Sequence, residues 1–137
     1  MIYVDANVFI HAIKNRGMLG DKARKYLRDI QEGKEKAATS ALTFDEVVWK
    51  ILQSDSFDDT LLVATGLINM PNLILLNVDK AVLSKSIDLM KLYGIYPRDS
   101  IHAACALNNN IFTIISEDKD FDDIKELKRK SINELRF

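Results

Sequence analysis

Short apolar runs alternate with longer segments of helical period along the chain. The apolar runs predict strands at Ile2–Val4, Leu73–Leu76 and 111–115, with a short second strand at 36–39 and an edge strand near Ser131. The segments between them predict helices over Ala6–Lys14, 21–31, 43–52, 57–70, 79–93 and 99–107. Gly94 suits the C-cap of the helix at 79–93. Because strands alternate with helices, we expect a three-layer α/β/α sandwich around a central, mainly parallel sheet.

The composition of the chain is compatible with this predicted fold and restricts the possible functions. The 137 residues are enough for one hydrophobic core, so we expect a single domain over 1–137. The net charge of −1 argues against a globally basic nucleic-acid-binding surface, but not against an enzyme that contacts its substrate through metals. Cys105 is the only cysteine, which excludes an internal disulfide and predicts a small buried thiol. No stretch reaches the roughly 20 apolar residues of a membrane span, and we expect a cytoplasmic protein.

Acidic residues stand where the predicted strands end and the predicted helices begin. Asp5 follows the first strand, Asp118 follows the strand at 111–115, and Asp99 opens a helix. Sites in parallel sheets form beyond the carboxyl ends of the strands, so Asp5 and Asp118 should lie at the same edge. Glu46 begins another helix and is the fourth carboxylate. Such a group needs divalent cations, because like charges in one pocket raise one another's pKa.

Each of these acidic residues also has a purely structural explanation. Asp5 suits a helix N-cap, and Asp99 complements the dipole at a helix start. Glu46 has the strongest alternative, since Thr43 and Glu46 match a capping box and Lys50 is placed to form an ion pair one turn later. Taken singly, none of the acids identifies a metal site.

The segment 116–121 carries the densest polar signal. Asp118 and Asp120 follow a buried strand directly, and Ser116 is placed to support a ligand. A turn rich in Asp and Ser is common in itself. Phe121 is expected to anchor this turn in the core.

Two further residues lie next to the acidic positions in the sequence. Asp45 is an alternative ligand in the same turn as Glu46. His102 lies one turn after Asp99 on nearly the same helix face, and we interpret it as a hydrogen-bonded structural histidine rather than a ligand.

Four short motifs, in this order and at these spacings, resemble the PIN-domain ribonuclease family and within it the VapC-like toxins. They are Asp5-x-Asn7, Ser40-Ala41-Leu42-Thr43-x-x-Glu46, Arg98-Asp99-Ser100-x-x-Ala103-Ala104 and Ser116-x-Asp118-x-Asp120-Phe121. Each motif is weak alone, but together they span nearly the whole chain. His102 is not part of the usual signature, and Ser116 and Glu117 stand where the family often has Thr and a varied residue. Glu117 adds a further candidate carboxylate.

The resemblance implies a PIN-like nuclease domain that cleaves RNA with Mg²⁺ or Mn²⁺ and leaves 5′-phosphate and 3′-hydroxyl ends. It assigns the catalytic and metal-binding quartet to Asp5, Glu46, Asp99 and Asp118. It adds Asp120 as a supporting metal ligand. Asn7 and Ser116 match common polar neighbours of the acids.

The resemblance also implies partners. A VapC-like toxin should have RNA as its substrate and a small antitoxin that covers the acidic pocket with a basic side chain. Arg98 and Lys119 flank the acids and are candidates for phosphate contacts, with plain surface charge as the alternative. The apolar helices at 44–52 and 57–70 predict a homodimer surface, and no contact with a membrane is expected.

Alternative functions remain open within and outside this family. The chain could be a PIN nuclease of RNA processing rather than a toxin, or a catalytically silent interaction module with the same fold. A phosphoacceptor receiver domain would need an aspartate at the end of the strand Leu73–Leu76, but none occurs before Asp79. A haloacid-dehalogenase-like phosphatase would need a second acid at Asn7.

Overall fold

Five short parallel strands form the central sheet of the computed structural model, which describes residues 1–136. The strands are β1 (Ile2–Val4), β2 (Ala37–Ser40), β3 (Leu73–Leu76), β4 (Thr113–Ile115) and β5 (Lys128–Lys130). Their order across the sheet is β3-β2-β1-β4-β5, and every neighbouring pair is parallel. The predicted parallel sheet is therefore confirmed, including an edge strand close to Ser131.

Helices cover both faces of this sheet. They are α1 (Ala6–Lys14), α2 (Met18–Gln31), α3 (Ala41–Leu52), α4 (Phe57–Ile68), α5 (Lys80–Tyr93) and α6 (Pro97–Asn108). Two short 3₁₀ helices, Lys119–Asp123 and Ile132–Glu134, follow β4 and β5. No helix within residues 1–136 is both long and apolar enough to cross a membrane.

Alternating side chains of the short strands divide the core into two halves. Val4 and Ile115 point to the half that is built with α1, α2, α3 and α4. Tyr3 and Ile114 point to the half that is built with α5 and α6. This two-residue period of strand side chains produces the expected three-layer sandwich. Cys105 is fully buried in the second half, as predicted.

The sheet reverses its winding direction between β1 and β4. The chain proceeds outward from β1 to β2 and β3, and then crosses back to place β4 on the other side of β1. Val4 is paired with Ile115, and the backbone N–H of Asp5 donates to the carbonyl of Ile115 at 3.0 Å. β1 and β4 therefore end side by side at the same edge of the sheet. A crevice at such a switch point is the usual ligand site of an open parallel sheet.

Several helix boundaries differ from the sequence prediction by two or three residues. α6 begins at Pro97 instead of 99, because proline is well suited to the first turn of a helix, where its missing N–H is not needed. α3 begins at Ala41 instead of 43, since β2 passes directly into the helix without a loop. At the end of α5, Gly94 adopts a left-handed conformation with φ of 66° and serves as the predicted C-cap.

Two glycines inside helices should respond oppositely to alanine. A Cβ at Gly20 in α2 would lie 1.8 Å from the carbonyl oxygen of Asn15, whereas a Cβ at Gly66 in α4 meets no atom within 4 Å. Gly66→Ala should therefore raise the free energy of unfolding by about 0.5–1 kcal/mol through helix propensity. Gly20→Ala should lower it by about 1–3 kcal/mol, the usual cost of overpacking. Urea denaturation of both variants measures the difference, and a stabilised Gly20→Ala protein would contradict the close α1–α2 packing.

Candidate metal centre

Asp5 lies at the switch point, directly after β1 and at the N-cap of α1. The residue is only 6% exposed. Oδ1 accepts a hydrogen bond from the backbone N–H of Ala6 at 2.8 Å, and Oδ2 accepts one from the Ser116 hydroxyl at 2.6 Å. Burial raises the pKa of the Asp5 carboxyl, although the nearby His102 and these two hydrogen bonds oppose the shift. Asp5 can therefore cap α1 and lie in the crevice at the same time.

Ser116 links the ends of β1 and β4. Besides donating to Asp5, its hydroxyl accepts from the side-chain amide of Asn7 at 3.1 Å and from the backbone N–H of Asp118 at 3.0 Å. The amide oxygen of Asn7 in turn accepts from the backbone N–H of Glu117 at 3.4 Å. Asn7 thus supports Asp5 through Ser116 and does not contact the carboxylate itself.

The capping-box interpretation of Glu46 is wrong. Because α3 begins at Ala41, Thr43 lies inside the helix and Glu46 lies in its second turn. The Glu46 carboxylate instead approaches His102 Nε2, at 2.5 Å. Lys50, the ion-pair partner that the i,i+4 spacing predicts, forms no ion pair within residues 1–136. Glu46 is therefore held by α6 across the crevice rather than by its own helix.

His102 joins the two sides of this site. Its ring is 1% exposed, and Nε2 lies 2.5 Å from Glu46 and 3.5 Å from Asp5. Nδ1 lies 2.7 Å from the Tyr3 hydroxyl, which donates to the Ser40 hydroxyl at 2.8 Å. This chain of contacts suits a histidine that carries a proton on both nitrogens, with Tyr3 accepting from Nδ1.

The charge of the surroundings favours that protonation state. Burial by itself would lower the pKa of His102, but the hydrogen bond to Glu46 and the negative charges of Asp5 and Glu46 outweigh it and raise the pKa. The prediction of a hydrogen-bonded histidine is therefore confirmed, but its partners are the predicted ligands themselves. Tyr3 is the third member of this arrangement. Nothing in the local sequence indicates this role, because Tyr3 lies in an apolar run that is typical of a buried strand.

Three more carboxylates form the outer part of the crevice. Asp99, Asp118 and Asp120 each bring an oxygen within 4.8 Å of the others. Asp118 caps the first 3₁₀ helix and accepts from the backbone N–H of Asp120 at 2.9 Å. Burial, then the charge and hydrogen bond of Asp118, then the charges of Asp5 and Asp120 raise the pKa of Asp99 to about 7.

The inner group of Asp5, Glu46 and His102 and this outer group adjoin each other. The charge of Asp99 acts on His102 and that of Asp5 acts on Asp99, so the two groups share one electrostatic environment. Five carboxylates of hard oxygen donors suit Mg²⁺ or Mn²⁺ rather than a soft metal. Burial first, and then the negative charges of the neighbouring acids, raise the pKa of Asp99. The residues present therefore fit a divalent cation.

Some residues near the motifs do not join the cluster. Glu117 turns away, and its carboxylate accepts from the backbone N–H of Ile132 at 2.6 Å, so the sequence-based candidate carboxylate caps the second 3₁₀ helix instead. Asp45, Arg98 and Lys119 are exposed. Phe121 is fully buried, which confirms its predicted role as the anchor of the turn.

Comparison with protein families identifies the class of this chain. The profile of the PIN domain family matches residues 2–127, and the chain belongs to this family. No protein with a curated description matches the chain in sequence.

Solved structures at low sequence identity share the fold of this chain. VapBC2 from Rickettsia felis, bound to a DNA fragment from its promoter, gives a TM-score of 0.74 at 18% identity over 96% of this chain and 98% of the other. FitAcB from Neisseria gonorrhoeae gives a TM-score of 0.73 at 18% identity over 98% of this chain and 100% of the other. VapC20 from Mycobacterium tuberculosis is described as a toxin that cleaves the sarcin–ricin loop. It gives a TM-score of 0.73 at 11% identity over 91% of this chain and 95% of the other.

The cluster should make the metal-free protein less stable as the pH rises. The pKa of Asp99 is about 7 in the folded protein and about 3.9 when unfolded, so folding takes up a proton between these values. The free energy of unfolding should therefore fall from about pH 4 to about pH 7, and the raised pKa of His102 acts in the same direction. In Asp99→Asn, the free energy of unfolding should change less with pH than in the wild-type protein. Urea denaturation in EDTA at several pH values measures both.

Asp88→Asn is the matched control for this measurement, because Asp88 is an exposed acid on α5 that belongs to neither carboxylate group. This variant should keep the slope of the wild-type protein. An equal slope in Asp99→Asn and wild type would contradict the electrostatic coupling of the acids.

Proposed function

We propose that this protein is a metal-dependent endoribonuclease and the toxin of a toxin–antitoxin pair, with the chain 1–137 acting as one PIN nuclease domain. The observation that carries the proposal is the convergence of five carboxylates at the switch point of a PIN-family sheet. A catalytically silent module would not need a cluster of carboxylates that is expected to lower the free energy of unfolding at neutral pH. Both the RNA substrate and the antitoxin are found in the cytoplasm, where we place the activity.

Asp5, Glu46, Asp99, Asp118 and Asp120 are the residues that would hold Mg²⁺ or Mn²⁺. When bound, such a cation lowers the pKa of a coordinated water and stabilises negative charge that develops on the phosphate.

The chain's own contribution to this chemistry is to hold the acids in place. Ser116 and the backbone N–H of Ala6 fix both oxygens of Asp5. His102 fixes Glu46, which otherwise has a long and flexible side chain. Hydrogen-bonded partners of this kind commonly account for about 10–100-fold of metal affinity or activity. The crevice is thus organised before any ligand enters.

RNA is the proposed substrate because VapC20, which has the same fold, is described as a toxin that cleaves the sarcin–ricin loop. An antitoxin partner is proposed because a toxin–antitoxin complex from Klebsiella pneumoniae contains a chain with the same fold, with a TM-score of 0.69 at 19% identity over 93% of this chain and 95% of the other. Such a partner would neutralise the acidic crevice with a basic side chain.

A homodimer is also part of the proposal. Exposed apolar side chains at the end of α3 and on α4 supply the surface: Leu52, Phe57, Leu61, Leu62 and Ile68. Apolar patches of this kind on a soluble protein commonly mark an interface with a partner.

The nuclease activity is tested with purified protein, Mn²⁺ and single-stranded RNA. Wild-type protein should cut the RNA, EDTA should stop the reaction, and Asp99→Asn should slow it by more than about 100-fold, because it removes a ligand rather than a ligand's support. Asp88→Asn should cut at the wild-type rate. Equal cleavage by Asp99→Asn, with an unchanged circular dichroism spectrum, would sink the proposal.

The toxin role is tested separately by expression in a bacterial host. Wild-type protein should arrest growth, Asp99→Asn should not, and co-expression of the product of the adjacent reading frame should relieve the arrest. Cleavage in vitro without growth arrest would instead favour a PIN nuclease of RNA processing.

A further inference from the structure

A groove beside the acidic crevice has features that the cleavage chemistry does not require. It has a volume of about 200 Å³ and is lined by Ile10, Asp45, Glu46, Trp49, Lys50 and Arg98. We call it the Trp49 groove. Because Glu46 also belongs to the inner carboxylate group, the groove adjoins the proposed metal centre. Its volume is below the roughly 300–1,000 Å³ of pockets for drug-sized ligands, so it suits one flat ring system.

Trp49 supplies an aromatic surface in this groove. It is the only tryptophan of the chain, and its side chain is 60% exposed. It lies one helical turn after Glu46 on α3, close to the acid that faces the crevice. An exposed aromatic face is the platform on which single-stranded nucleic acids stack their bases.

Two cations of the groove are available for an anionic ligand. Lys50 and Arg98 are exposed, and within residues 1–136 neither forms an ion pair. Of the two acids in the same groove, Glu46 is engaged by His102, which leaves Asp45 as the one exposed carboxylate. Both cations are therefore available for contacts with phosphate groups.

We propose that the Trp49 groove binds a nucleotide of single-stranded RNA next to the cleaved phosphodiester, with the base stacked on Trp49 and backbone phosphates held by Arg98 and Lys50. The proposal rests on the nuclease function above and adds how the substrate is held. A duplex fits poorly, because its bases are stacked on one another and cannot reach Trp49. The net charge of −1 is consistent with a local contact rather than a broad basic surface.

Binding is measured in the Asp99→Asn protein, which should not cut the RNA. The probe is a fluorescein-labelled, mixed-sequence single strand of about 12 nucleotides, within the site size of single-strand binders. The RNA should quench the emission of Trp49, which is the only indole in the protein. Trp49→Ala should weaken binding by about 5- to 100-fold, measured by anisotropy, with no change in its salt dependence. Trp49→Phe should restore part of the affinity.

Arg98→Ala should behave differently from Trp49→Ala. Loss of one phosphate contact should reduce the slope of log K against log salt by about 0.7. The matched controls are Phe112→Ala, an aromatic that is 55% exposed ahead of β4, and Arg16→Ala, an exposed arginine beyond α1. Both control variants should bind like the parent protein. Circular dichroism and melting of each variant verify the fold.

The outcomes separate this proposal from the nuclease function. If wild-type protein cuts RNA but Trp49→Ala and Arg98→Ala leave affinity and KM unchanged, the groove is not the RNA site and the nuclease stands. If RNA binding depends on Trp49 but no cleavage occurs with Mn²⁺, the nuclease is wrong and the groove stands. Absence of RNA binding, or equal Trp49-dependent binding of a duplex, would overturn the groove proposal.

Discussion

The pairing of β1 with β4 is the constraint on which the rest of the site depends. These two strands are adjacent in the sheet although more than one hundred residues separate them in the chain, and they end at the same level. Asp5 and Ser116 therefore meet directly, and the acids of the following turn are carried to the same crevice. The pairing is fixed by burial of Val4 and Ile115 on one face and of Tyr3 and Ile114 on the other.

The second constraint is the mutual repulsion of the gathered carboxylates. A fold that collects five of them must either neutralise them or tolerate a proton, and burial together with the neighbouring charges raises the pKa of Asp99. His102 neutralises part of the inner group from within the core, where Tyr3 and Ser40 hold its other nitrogen. The carboxylates that repel one another in the metal-free protein are therefore the same ones that we propose as cation ligands.

Much of the fold could be predicted from the sequence because its signals are local. Apolar runs marked the strands, helical periodicity marked the helices, and Gly94 marked a helix end, each to within a few residues. The acidic positions were also visible, since they stand at changes of pattern. Glu46 shows the limit of local reasoning: its spacing to Thr43 matched a capping box, yet the helix began earlier and the carboxylate turned to another element.

The sequence by itself determined the class of fold, the family motifs and the set of acidic side chains, because each is encoded within a few neighbouring residues. Only the tertiary structure decided which partners those side chains take. Glu117 was drawn to a backbone N–H, while His102 was brought to Glu46 and Asp5 across the crevice. Such contacts join residues of different secondary-structure elements, and their geometry depends on how the elements pack on one another, which no local pattern specifies.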